Sequence, residues 1–160
     1  MMALPWKIEE LVPHTATMSL LDEALSADEE DARAAVRIAE DSLLYDSKQG
    51  GVPAWAGVEY MAQTIAMFAG AQARHAGGRP AVGFLLGTRR FIAHVPCYKL
   101  ASRLEVAVTQ EFRDDQMAVF DCRISCRVSC QVEGEENVLA EARLSVFQPD
   151  DIAEFLGMDE

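Results

Sequence analysis

Glu59 and Gln63 sit four residues apart inside residues 53–76, PAWAGVEYMAQTIAMFAGAQARHA, a stretch that is otherwise almost wholly apolar or small. On a helix, side chains at that spacing share one face. A carboxylate on a largely apolar helix must be exposed, paired or shifted in pKa, so Glu59 is the first candidate for acid–base chemistry. The other titratable groups have plainer readings beside the chemical ones. His14 follows Pro13 and either bonds the local backbone or serves as a base. His75 lies near the helix end, where a cation suits the dipole, and His94 lies in the Ala93–Pro96 bend.

Cys122, Cys126 and Cys130 invite a metal. Residues four apart on a strand, however, stand roughly 13 Å from one another, so they read as small core residues. Arg89 and Arg90, with Arg74, Arg79 and Lys99, form the one concentrated basic segment, either a solvated face or a docking site. The phosphate-cradling pattern G-x-x-x-x-G-K does not occur. No metal or nucleotide cofactor is expected.

These residues need a scaffold. Pro53 suits a helix start and Gly77-Gly78 a helix stop, which predicts one long helix over 53–76. Gly57, Gly70 and many alanines keep it thin, so other backbone can approach. Strands are predicted over 18–26 and 32–39, joined by the acidic turn 27–31, with a loop over 40–52. After the helix come strands over 82–91, 100–112, 117–132 and 138–147. Gly87 marks a bulge or close approach in the first of these. The third has the clearest pattern: Phe120, Cys122, Ile124, Cys126, Val128, Cys130 and Val132 alternate with polar residues, as a half-buried antiparallel strand requires. Ile8–Leu11 reads as one helical turn, and 149–160 as a short acidic tail.

The chain has 160 residues and a formal net charge of -12, and half of it is apolar. That length suits one domain with a real core. The charge argues against nucleic acid, which needs a basic face. No signal-peptide pattern or long apolar span is present, so a reducing cytoplasm with free thiols is expected. A helix buried nearly all round needs a sheet that curls about it and a further cover, which argues for a dimer.

Three segments, taken together, resemble a known family. Val58-Glu59-Tyr60-Met61-Ala62-Gln63 is similar to the helix signature of the 3-hydroxyacyl-[acyl-carrier-protein] dehydratases. The lead Leu11 to Asp22 resembles their proline-histidine opening. Gly83 to Phe91 resembles the strand after their helix. The match runs over most of 8–147, and the divergent dehydratase-like proteins of aryl-polyene clusters are the nearest likeness.

The resemblance implies an α+β hotdog fold, a curved antiparallel sheet of about six strands around one long helix, usually dimeric through a continuous sheet. It implies dehydration of a 3-hydroxyacyl thioester. A loop histidine removes the C2 proton, and a helix carboxyl from the other subunit helps the hydroxyl leave. Glu59 matches the carboxyl. Tyr45 stands where the histidine falls, and the usual histidine-phenylalanine-proline-glycine loop is absent. Tyrosine is a poor base near neutral pH, which leaves Tyr45 and His14 as substitutes. Gly57 is expected to offer backbone approach to the thioester and Gln63 to line the substrate's path. Arg89 and Arg90 are expected to hold an anionic carrier. Implied partners are an acyl carrier protein or acyl-CoA thioester, and a homodimer or a heterodimer with a related dehydratase. Two other readings stay open: a half-site or non-catalytic subunit, and a thioesterase whose helix carboxylate activates water.

Overall fold

The computed structural model describes residues 4–8, 19–77, 84–114, 116–126 and 137–147. His14, Arg79, Cys130, the end of the predicted strand 117–132 and the tail 149–160 lie outside them.

Six strands form one antiparallel sheet: β1 (Glu23–Ala27), β2 (Asp31–Arg37), β4 (Phe84–Ala93), β6 (Arg103–Asp114), β7 (Met117–Cys126) and β8 (Asn137–Phe147). Their spatial order is β1-β2-β6-β7-β8-β4. Among the described residues one long helix, α1 (Gly57–His75), packs on the inner face and touches all six strands. This is the architecture that the resemblance implies.

The periodicities explain the layers. In β7, Phe120, Cys122 and Ile124 are buried while Asp121 and Arg123 are exposed. Five of their six register partners on β6 and β8, Val106, Val108, Ala140, Ala142 and Leu144, are buried too. The helix answers with Tyr60, Met61, Thr64, Ile65, Met67, Phe68 and Ala71. Phe68 meets Phe120 edge to face at 5.5 Å, a favoured aromatic geometry. The outer face is charged, with ion pairs Arg33–Glu105 at 2.6 Å and Arg143–Asp121 at 3.1 Å.

The helix begins differently from the expectation. Gly51 and Val52, expected in the loop, and Pro53, expected to open the helix, form a short strand, β3 (Gly51–Pro53), paired with β5 (Cys97–Lys99). Pro53 therefore ends a strand, and a 3-10 turn over Ala54–Ala56 leads into α1. At the other end Gly77 takes φ +82 and its N–H bonds the Arg74 carbonyl, the left-handed stop that glycine makes cheap. The predicted first strand also starts later, at Glu23. Gly87 sits at a register shift on β4, so it marks a bulge; nothing lies within contact of where its Cβ would be. Among the described residues no helix is long and apolar enough to cross a membrane.

Candidate functional site

Glu59 lies in the first turn of α1 and is exposed. Gln63, one turn on, is buried. The Gln63 side-chain oxygen accepts the backbone N–H of Leu20 at 2.8 Å. Its amide nitrogen then donates to Glu59 Oε1 at 3.3 Å. The two bonds fix the amide's orientation: an oxygen facing the Leu20 N–H leaves the NH2 facing Glu59. One carboxylate oxygen, Oε1, is thereby held by the amide.

A second anchor sets where that turn begins. The buried Tyr98 hydroxyl donates to the Ala54 carbonyl at 2.9 Å. A Cβ at Gly57 would overlap this hydroxyl and stand 2.9 Å from Ile124 Cδ1. The Gly57 N–H is held by the Ala54 and Trp55 carbonyls. What the glycine contributes here is room for Tyr98. Sequence alone offered no signal for Tyr98, because its partner is 44 residues away.

Beside these residues opens a cavity of about 590 Å³, lined by Ser19, Leu20, Asp22, Arg37, Ser42 and Tyr60 among others. Leu20 belongs both to its wall and to the hydrogen-bond chain ending on Glu59. Burial, with the Asp22 carboxylate adding to it, pushes the Tyr60 phenol up to about 12. Burial likewise raises Tyr98, and the neighbouring Tyr60, 6.0 Å away between ring centroids, adds to that. Both phenols stay protonated near neutral pH, as donors and not bases.

The remaining candidates are spread out. Tyr45 is half-buried against the core, and its hydroxyl makes no hydrogen bond among the described residues. His75 stacks edge-on against Trp6 at 4.9 Å, at the far end of the helix. His94 bonds Glu141 at 3.0 Å on the outer face. Neither of these imidazoles touches Glu59. Arg89 and Arg90 are exposed on β4. Arg89 is in register with outward-facing Arg143, and Arg90 lines an outer-face groove with Arg123 and Arg143. The structure thus brings Glu59 and Gln63 together and places the two arginines across the sheet from them. Cys122 and Cys126 are buried in the core. The Cys122 thiol is raised by burial and then by Asp121.

A family model described as ApeP-like, ApeP dehydratase, matches residues 6–157. The chain belongs to the ApeP-like dehydratase family. Among solved structures it is similar to the dehydratase heterocomplex ApeI:P from Xenorhabdus doucetiae, with 24% identity, a TM-score of 0.82, and 97% of this chain and 99% of that one covered. It is also similar to smu.793 of Streptococcus mutans bound to acetyl CoA, at 12% identity and TM-score 0.60, covering 85% and 96%. Thioesterase superfamily member 2 of Mus musculus gives 11% identity and TM-score 0.57, covering 82% and 84%. These likenesses establish the hotdog fold. No curated protein matches the chain in sequence.

Proposed function

We propose that this ApeP-like chain takes part in dehydrating 3-hydroxyacyl thioesters, supplying the carboxyl group Glu59 to an active site completed by a related subunit. The observation that carries this is the hydrogen-bond chain from Leu20 through Gln63 to Glu59, in which a buried amide orients an exposed carboxylate. A solvated surface glutamate needs no such holder.

The chemistry balances on that geometry. A base takes the C2 proton of the thioester. Protonated Glu59 gives its proton from Oε2 to the 3-hydroxyl, which leaves as water as the C2–C3 double bond forms. The Gln63 N–H then stabilises the carboxylate left behind, and the proton on the base restores the acid. Among the described residues no histidine stands beside Glu59. The two described histidines are engaged elsewhere, and His14 lies outside the described residues. A histidine from a related dehydratase subunit would supply that base, and the similar structure from Xenorhabdus doucetiae is itself a heterocomplex. A second subunit over Glu59 also excludes water, which strengthens every charge interaction there.

The acyl group is expected on a carrier protein in fatty acid or polyene synthesis. The test is a 3-hydroxyacyl carrier-protein substrate offered to the chain alone and to the chain mixed with a histidine-bearing dehydratase subunit. Dehydration on mixing, lost in Glu59→Gln with the fold intact, is the expected result. Turnover by the single chain that disappears in His14→Ala would refute the partner's role. Release of free acid instead of the enoyl product would replace dehydration by thioester hydrolysis.

A further inference from the structure

One corner of the sheet's outer face is apolar. Ala118 and Phe120 of β7 are buried, so Met117 and Val119 alternate onto the outer face with Asp121 and Arg123. Their register partners share that face: Phe112 of β6 stands opposite Val119, and Phe147 of β8 opposite Met117. Phe112 is 56% exposed and Met117 46%. Adjoining apolar side chains that meet solvent on a charged face mark an interaction surface.

The patch has a basic rim. Arg143 lies two residues beyond Ser145, the β8 partner of Val119, and Arg89 of β4 stands opposite Arg143. β4 bulges just past that point, where its register with β8 shifts between Arg89 and Ile92. Arg90 takes φ +54 in the bulge, a left-handed conformation uncommon outside glycine. It therefore shares the outer face with Arg89, and it lines a groove there with Arg123. Arg143 is paired with Asp121. Arg89, Arg90 and Arg123 have no ion pair among the described residues.

The chain leaves the sheet at this same corner. β8 ends at Phe147, and residues 148–160, QPDDIAEFLGMDE, follow. They lie outside the described residues, and their sequence has the pattern of a short amphipathic helix. Pro149 cannot donate to a ladder. Asp151 and Glu154 have capping-box spacing. Ile152, Phe155 and Leu156 form one apolar stripe, and Gly157 suits a helix stop. Asp150, Asp151, Glu154, Asp159 and Glu160 make the segment acidic, and it holds no basic residue. We propose that residues 149–160 fold back over this corner, seating Ile152, Phe155 and Leu156 on Phe112, Met117 and Val119, and setting Asp159 and Glu160 against the arginine rim. The lengths agree. A helix over 151–157 is about 10 Å long, and the four strand steps from Met117 to Asp121 span about 13 Å, so the last residues reach the row of Arg143 and Arg89. A tether of a few residues holds the segment at an effective concentration of roughly millimolar, an advantage that a second copy or a free partner lacks.

Amide hydrogen exchange read by mass spectrometry on the full chain is the test, and it needs no substrate. Peptides covering 150–157 are expected to exchange at least about tenfold more slowly than the same residues in a synthetic 148–160 peptide, at a ratio independent of protein concentration. Phe112→Ser/Met117→Ser should bring them to the free-peptide rate while α1 keeps its protection. Ile152→Ser/Phe155→Ser/Leu156→Ser leaves the sheet's own residues intact and should speed exchange over 112–119, which keeps the proposal testable if the patch variant does not fold. Arg89→Glu/Arg90→Glu should speed the 150–157 exchange about threefold at low salt and less at high salt. Free-peptide exchange in the wild type overturns the proposal. Protection of 150–157 that survives Phe112→Ser/Met117→Ser in a folded chain overturns it too, as does a 152/155/156 variant that leaves 112–119 unmoved. An unmoved rate in the charge-reversed chain overturns the placement of the acidic end. Protection that grows with protein concentration, in step with a dimer seen in sedimentation equilibrium, assigns the patch to a second copy and overturns the fold-back.

Discussion

Replacing Gln63 with glutamate isolates the bond on which the Glu59 assignment depends. The new carboxylate still accepts the Leu20 N–H, so that end of the chain survives. It offers Glu59 no proton, and two carboxylate oxygens are left near the present 3.3 Å separation. Unit charges at that distance repel by about 1 kcal/mol in water and by about 5 kcal/mol at an effective dielectric of about 20. Glu59 is exposed, so solvent and salt keep the repulsion toward the lower figure, while burial of position 63 adds desolvation. The expected loss is about 1–3 kcal/mol at pH 8, or roughly 2–12 °C in Tm for a chain of this size.

The pH dependence gives the sign. Burial and the Glu59 charge raise the new group's folded pKa above its unfolded value of about 4.3. Between those two values the folded state binds a proton that the unfolded state lacks. Stability relative to wild type therefore recovers as pH falls from 8 toward 5, by up to about 1.4 kcal/mol per pH unit. A protonated carboxyl can again donate to Glu59. Urea unfolding of both proteins across that range is the assay. A constant difference between pH 5 and 8, or no loss at pH 8, would show that Gln63 does not serve as the donor. Gln63→Leu is the companion: it strands the Leu20 N–H as well and should lose about 1–3 kcal/mol with no recovery in acid.

Three further outcomes follow from the same geometry. Gly57→Ala should cost about 1–3 kcal/mol through overlap with the Tyr98 hydroxyl, and Tyr98→Phe about 0.5–1.5 kcal/mol through the lost bond to Ala54; the double variant should be more stable than the sum, by at least about 0.5 kcal/mol in a thermal double-mutant cycle. With the Tyr60 phenol at about 12 when folded and about 10 when unfolded, stability should be flat below pH 10 and fall as pH rises through 12, and Tyr60→Phe should reduce that slope in alkaline denaturation. Iodoacetamide near pH 8 should modify half-exposed Cys97 in the folded chain and leave Cys122 until unfolding, because only a thiolate reacts; peptide mapping of the labelled protein reads the order.

The parts of the fold legible from sequence were those set by local pattern. Alternation over Phe120 to Cys126 marked β7, and the run of alanines ending at Gly77 marked the helix. Pro53 misled, because a proline suits a helix start and a strand end equally, and the β3–β5 pairing that decides the matter joins segments more than 40 residues apart. Glu59 and Gln63 were visible as one face of a helix. The direction of the Gln63 amide was not, since it depends on the Leu20 N–H, 43 residues away. Tyr98 carried no local signature at all. Arg89 and Arg90 were legible as a basic segment, but their shared face follows from a bulge whose pairing partner is β8.

That bulge ties the paired placement of Arg89 and Arg90 to chain length. Substituting one arginine leaves the other in place. Deleting Arg90 would remove the extra residue between Arg89 and Ile92, restore strict alternation in β4 and leave both flanks in their present register with β8. A one-residue deletion at the bulge would therefore dissolve the shared face of the two arginines while leaving the strand on either side as it is.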